Sequence, residues 1–339
     1  MNKYKIAWKS LGGIKSASFR YRALLPCKYL KHEGWQCEIF NYRNLDKYKL
    51  VVFQKLYDDE SINLVQILKS QGVITVFDLC DNQFQNQLND TPSVLSDRRE
   101  RLQKMIDSVD IISVSTPELK KVIGSKTDKI PVVIDDAIEV PHVHILGKGY
   151  LKLKETFKRI QNNSFNIVWY GTAGIKNPPY GLIDLVRVLP SLEKIHKEIP
   201  INLTVISNSK STFKNYFSSP KIPVKYYGWK LATFPYIFSQ NDVCLIPVNL
   251  NPLTECKTSN RLILSLLLNV PVIADKIPSY EEFNEFLLFS DWEMNLRKYA
   301  FNQTLRQQHV KKGKEYILSK YDKNRVVSQW SSLFQMLLN

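Results

Sequence analysis

Asn241–Asp275 reads NDVCLIPVNLNPLTECKTSNRLILSLLLNVPVIAD, and its pattern decides the fold. Asp242 leads an unbroken apolar run, Val243–Val248, as in a strand with both faces covered in a parallel sheet. A polar, proline-bearing loop follows, Asn249–Glu255. Lys257-Thr258-Ser259-Asn260-Arg261 then runs straight into a predicted helix, Arg261–Leu268. Asn269 suits the C′ position and Pro271 ends the helix, so Val272–Ala274 is the next strand. This β-loop-α-β unit has a carboxylate, hydroxyls and two cations around a helix start. A helix start suits an anion, because its unpaired N–H groups and the dipole point outward.

Outward from this stretch the alternation continues. Phe165–Tyr170 is a strand leading into Gly171-Thr172-Ala173-Gly174, then Lys176-Asn177 and a helix near Gly181–Glu198. A glycine-rich loop aimed at a helix start suits a diphosphate. Ile201–Ile206 is a strand ending at Ser207-Asn208-Ser209-Lys210. Lys225–Tyr227 is the next, followed by Gly228 and Trp229, and Leu231–Ser239 is a helix. Trp229 reads equally as a stacking platform for a base and as an apolar lid on the sheet. A short strand at Phe286–Phe289 and helices over Met294–Phe301, Asn302–Lys320 and Lys323–Leu338 complete this half.

The N-terminal half opens with a strand, Tyr4–Trp8, and a glycine-containing loop, KSLGGIKSA, over Lys9–Ala17. Ser18 is read as the N-cap of a helix Phe19–Glu33 that Gly34 closes. The missing GxGxxG fingerprint weakens a nicotinamide or flavin reading. Arg20 and Arg22 in the first turn read by themselves as solvated arginines on a surface helix. Strands are read at Cys37–Phe40, Leu50–Phe53 and Ile74–Leu79, with a helix at Glu60–Ser70. Asp78 and Asp81 stand at the end of the last of these strands, where carboxylates face a ligand crevice. Either can bind a hydroxyl or act as a general base, while Asp81 fits a loop or N-cap role equally well. Residues 84–97 are read as a mobile loop, and Asp97–Asp107 as a helix carrying Arg98, Arg99, Arg101 and Lys104. That basic run either docks anionic lipid or a phosphorylated acceptor, or is a solvated face. A strand Asp110–Val114, a helix capped by Ser115 or Thr116 with Pro117 at its first position, and a strand Lys129–Ile134 follow. His142 and His144 alternate as metal ligands on a strand would, but no third ligand is near, so 139–164 is read as a linker. The expected organisation is 1–150, 151–322 and a final helix 323–339.

The 339 residues carry 47 Lys and Arg against 32 Asp and Glu, a formal charge of +15, which implies an anionic partner or a surface generally rich in lysine. The basic residues are spread along the chain without a nucleic-acid motif, so no nucleic-acid partner is expected. Five scattered cysteines and no visible signal peptide point to reduced thiols in a cytoplasmic protein. No run spans a bilayer, so contact with an anionic membrane, at its inner face, would be peripheral.

The organising stretch resembles the nucleotide-sugar segment of GT-B glycosyltransferases, especially the retaining family 4 group. Asp242, Pro247, Lys257, Arg261, Asn269, Pro271, Val272, Ile273 and Ala274 fall into that frame. Where many members carry two glutamates spaced E-x7-E, this chain has Cys256 and Leu264, with Glu255 out of register, and a Lys/Ser/Asn/Arg set takes their place. Gly171, Lys176 and Asn177 match the family's second-half glycine loop, although Thr172 replaces its arginine. Ser18-Phe19-Arg20-Tyr21-Arg22 is similar to an S-x-R-x-R stretch of a subset, and Asp78 and Asp81 to its Y-D-x-D-D element.

The resemblance implies two Rossmann-like domains facing across a cleft, the last helix returning to the first. It implies sugar transfer from a nucleoside diphosphate sugar to a hydroxyl of a glycan or lipid-linked acceptor in envelope polysaccharide synthesis, with retention and without metal or cofactor. The donor set it implies is Gly13, Gly171, Thr172, Lys176, Asn208, Trp229, Glu255, Lys257, Thr258, Ser259, Asn260 and Arg261. Arg20 and Arg22 would hold the acceptor, and Asp78, Asp81 and Lys257 would act in catalysis. The competing readings are a catalytically silent protein of the same shape and a nucleotide-sugar epimerase.

Overall fold

The computed structural model describes residues 4–87, 89–139 and 164–338; His142, His144 and the expected linker lie outside the described residues. The chain forms two compact units. The described part of the first comprises residues 4–139, 255–258 and 318–338, and that of the second 164–254 and 259–317.

The first unit is built on a six-stranded sheet: β1 (Lys5–Ser10), β2 (Gln36–Ile39), β3 (Tyr48–Gln54), β4 (Ile74–Leu79), β5 (Ile111–Val114) and β6 (Val132–Val133). Its order is β2-β1-β3-β4-β5-β6, with every neighbouring pair parallel. The strands are apolar over most of their central positions, and apolar side chains pack on both faces of the sheet. Ala7, Val51, Phe53, Phe77, Ile112 and Val114 contribute to one core; Ile6, Trp8, Leu50, Val52 and Val76 alternate with them and contribute to the other. The last helix, Lys323–Leu338, lies on the second of these cores through Val326, Val327, Trp330, Leu333 and Phe334. Trp330 meets Trp8 edge to face at 5.6 Å, and Phe334 meets Trp35 at 5.4 Å.

Two readings of this half are corrected. The helix after β1 starts at Ala17, with Ser16 rather than Ser18 as N-cap, and turns π-helical over Arg20–Leu24 before continuing as Leu25–His32. The helix over the basic run starts earlier than Asp97, spanning Pro92–Ser108, because Thr91 caps it and Pro92 takes the first position. Thr116 caps the helix Pro117–Gly124 as expected.

The second unit has β7 (Phe165–Gly171), a hairpin of β8 (Gly174–Lys176) and β9 (Pro179–Gly181), then β10 (Ile201–Ser207), β11 (Val224–Gly228), β12 (Val243–Ile246), β13 (Val272–Ala274) and β14 (Leu288–Phe289). Its main sheet has the order β11-β10-β7-β12-β13-β14 and is parallel. The β8–β9 hairpin and a helix at Lys210–Tyr216 go beyond the sequence reading. The organising stretch folds as read: β12, a loop, the helix Asn260–Leu267, then β13, with Asn269 at φ 64° in the left-handed conformation that ends the helix. Among the described residues no helix is long and apolar enough to cross a membrane.

Trp330 is fully buried against Trp8 and Phe334. Trp330→Ala should therefore lower the unfolding free energy by about 3–5 kcal/mol in urea titration. A loss below about 1 kcal/mol would mean that the last helix contributes little to this core.

Candidate functional site

In the second unit the strand order reverses between β7 and β12, and open α/β sheets bind ligands beside the C-terminal strand ends at such a point. Gly171 ends β7, and β12, which pairs with β7 in the same sheet, leads into the loop that follows. Arg261 lies against this strand end. Its guanidinium donates to the Tyr170 carbonyl and stacks over the rings of Trp169 and Tyr170, at 5.4 and 5.3 Å. The Tyr170 hydroxyl returns a bond to the Arg261 carbonyl at 2.9 Å. A β-carbon at position 171 would press on the Trp169 ring at 3.0 Å, while Arg261 Cζ would stand at an ordinary contact distance of 3.7 Å, so glycine relieves the ring on which the guanidinium stacks. Arg261 Nε is buried and has no acceptor among the described residues. Such a donor is costly to enclose unless something accepts from it.

The surrounding loops are held by a few polar anchors. Asp184, in the first turn of the helix Leu182–His196, accepts from the backbone N–H groups of Gly181 at 2.8 Å and Asn249 at 3.0 Å, and from the Asn249 side chain. Burial pushes its carboxyl above the ordinary value. Asn251 Nδ2 donates to the Pro179 carbonyl at 3.0 Å, tying the loop after β12 to the hairpin. Asn208, at the end of β10, accepts from the Ala173 N–H at 2.8 Å and so shapes the glycine loop. Thr172 and Lys176 are exposed, Lys176 at the hairpin end of β8. Trp229 is half-buried beyond β11, its ring 6.5 Å from Phe234. Ser259 is the buried N-cap residue of the helix Asn260–Leu267, without a side-chain capping bond.

Other expected donor residues fall in the first unit. Glu255–Thr258, read as part of the second domain, belongs to the first unit. Cys256 is buried in the first unit's core and its carbonyl accepts from Thr116 Oγ1 at 3.2 Å. Burial pushes its thiol up to about 11. Glu255 is exposed. The Lys257 ammonium binds Asp81 Oδ1, while Lys55 binds Oδ2 at 2.6 Å. Burial raises the Asp81 pKa, but the two ammonium groups outweigh it and hold the carboxyl well below the usual carboxylate range. Lys55 did not stand out in the sequence; its signal was its place directly after the apolar strand β3. Gly13 has open space where a side chain would go, and Gly12, at φ 88°, is the glycine that the loop conformation requires.

Asp78, Arg22 and Arg20 lie in internal ion pairs. Asp78 is fully buried, bonded by Arg22 through both oxygens and by Ser113 Oγ at 2.6 Å. Arg22 also reaches the Ile134 carbonyl and Asp136. A carboxylate and a guanidinium enclosed together in this way form an internal tie. Arg20 is 4% exposed and paired with Glu139 at 3.0 Å. Arg98 of the basic run likewise turns inward to Asp90 at 2.9 Å. Among the described residues no group of three His, Cys, Asp or Glu could hold a metal.

No family model and no curated relative matches the sequence. Solved structures match its fold. The Anabaena protein HepE in complex with UDP-glucose superposes with a TM-score of 0.71 at 11% identity, over 98% of this chain and 99% of that one. A glycosyltransferase from Rickettsia africae gives 0.67 at 11% identity over the full length of both chains. Sucrose-phosphate synthase from Thermosynechococcus elongatus gives 0.64 at 12% identity over 99% of each. The fold is GT-B: two Rossmann-like units, with the final helix part of the first.

A depressed carboxyl stabilises the fold fully above its unfolded value, about pH 4, and the contribution is lost as pH falls through the folded value. Asp81→Asn should cost about 1–3 kcal/mol at pH 7, and the gap to wild type should narrow steadily below about pH 4. Chemical denaturation across pH 2–7 reads this; a gap that does not change with pH would contradict the pairing.

Proposed function

We propose that the chain is a glycosyltransferase that moves a sugar from a nucleoside diphosphate sugar to a hydroxyl of a glycan or lipid-linked acceptor. The observation that carries this is the Gly171–Arg261 strand end, which offers an enclosed, unsatisfied guanidinium N–H at the switch point of the second unit's sheet. A departing diphosphate supplies the oxygens and the negative charge that such a donor lacks. Lys176 and the N–H groups at the start of the helix Asn260–Leu267 add to that stabilisation, and Trp229 offers a face for the base. HepE, of the same fold, was solved with UDP and with UDP-glucose, so UDP-sugars are the donors to try first.

In the reaction the bond from the anomeric carbon to the diphosphate oxygen breaks and one to the acceptor oxygen forms. Asp81 is a poor base at neutral pH because both of its oxygens are bonded to ammonium groups and its acidity is raised. The departing diphosphate gains negative charge as the bond breaks, and it is the group assigned to take the hydroxyl proton. This suits retention of configuration and needs no protein nucleophile. An acceptor in envelope polysaccharide, reached at the inner membrane face, is the biological setting proposed.

Thermal shift with UDP, GDP, CDP and ADP and their sugars tests the reading. A nucleotide at about 100 times its dissociation constant adds about 2.7 kcal/mol of stability. One nucleotide should stabilise the wild type and leave Arg261→Ala unmoved. Equal stabilisation of both proteins, or none of either, would overturn the assignment.

A further inference from the structure

The first turn of the helix Leu182–His196 carries a buried carboxylate that serves two loops at once. A carboxylate at the third helical position ordinarily accepts from the N-cap N–H alone. Asp184 makes that bond through Oδ2, to Gly181 at 2.8 Å. Its Oδ1 reaches instead to Asn249, 65 residues further along the chain, and accepts both from the backbone N–H at 3.0 Å and from the side-chain amide. Asp184 is 3% exposed. Burial pushes its carboxyl up, and the bonds from Asn249 and Gly181 and the charge of Arg261 work against that rise. An amide could not do the same, because it has one acceptor oxygen and its NH2 group would face an N–H donor.

Each partner is the root of a loop. Gly181 closes the β8–β9 hairpin, where two backbone segments meet without side chains between them. A β-carbon on Gly174 would fall 1.8 Å from the Tyr180 carbonyl oxygen, and one on Gly181 would fall 2.7 Å from the Ala173 carbonyl oxygen. The Leu182 N–H donates to that same Ala173 carbonyl at 3.1 Å, so the helix start is tied to the strand end two residues past Gly171. Asn249 heads the loop after β12. Its carbonyl accepts from Thr254 Oγ1 at 2.6 Å and from Asn251 Nδ2 at 3.0 Å. Asn251 Oδ1 accepts in turn from the N–H groups of Leu253 and Thr254, at 3.0 and 3.2 Å. The bond from Asn251 Nδ2 to the Pro179 carbonyl joins this loop to the far side of the hairpin.

We propose that Asp184 is a positioning residue of the donor site, which couples the β8–β9 hairpin to the Asn249–Thr254 loop so that both become ordered together when a nucleoside diphosphate occupies the Gly171–Arg261 strand end. The coupling is reciprocal: order that the ligand imposes on the loops is returned as affinity for the ligand. The inference rests on the donor reading of that strand end and extends it to a carboxylate that acts through its neighbours.

Backbone hydrogen exchange and calorimetry on the full chain test it, with UDP as the first nucleotide and otherwise the one that thermal shift selects. In wild type the nucleotide should slow exchange in 174–181 and in 248–254 together. Asp184→Asn should speed exchange in both segments, leave β10 and β13 protected, and bind the nucleotide about tenfold more weakly. Asn249→Ala keeps the carboxylate and its backbone bonds, and it carries the test if the first variant does not fold. It should speed exchange in the hairpin as well as in its own loop, with a smaller loss of affinity. Exchange that rises in one segment only, exchange that rises through the whole unit alike, or an affinity equal to wild type would overturn this role alone. A wild type that binds no nucleotide would overturn the donor reading and this role with it.

Discussion

The contact between Arg261 and the end of β7 is the constraint on which the second unit's chemistry depends. A β-carbon at position 171 would crowd the Trp169 ring at 3.0 Å, and it is over this ring that the guanidinium lies. The Tyr170 carbonyl and two aromatic faces hold the group in place, so its remaining N–H is presented rather than left to wander. Preorganised donors of this kind stabilise developing charge without reorganising at the moment of reaction. The cost of ordering them falls on folding, and here Asp184, Asn249 and Asn251 bind the neighbouring loops so that the folded chain meets it.

A different electrostatic economy governs the first unit. Arg22, Asp78, Ser113 and Asp136 satisfy one another inside the sheet, and removing any one would strand a charge or a donor in a dry interior. The π-helical turn at Arg20–Leu24 places both arginines inward, at Asp78 and at Glu139. By contrast, Asp81, Lys55 and Lys257 are partly open. The same residue types are thus fully enclosed at one carboxylate and partly open three residues further on.

Much of the architecture was legible locally. β4 and β13 are bounded as their apolar runs suggest, and Asn269 ends its helix because asparagine tolerates the left-handed conformation. The hairpin at 174–181 was not, since two three-residue strands with a proline carry no periodic signal. Ser16 and Ser18 compete for one cap, and nothing in their spacing chooses between them; in the fold their hydroxyls lie 3.0 Å apart. Of the expected donor residues, Gly171 and Arg261 lie against one another at a strand end, where an apolar run closing on a glycine suggests a loop. The site was illegible where it depends on partners far apart in the chain. The bond from Arg22 to Asp78 joins residues 56 apart, and that from Lys257 to Asp81 joins residues 176 apart. Each looked like a surface or ligand-facing charge until its partner was known.

The central claim is that the Gly171–Arg261 strand end receives a nucleoside diphosphate. A crystal structure of the protein with UDP tests it most directly. The account requires the diphosphate beside the Gly171 backbone, with a phosphate oxygen within hydrogen-bonding distance of the Arg261 guanidinium. UDP seated away from this strand end, with Arg261 still bonded only to Tyr170, would contradict it.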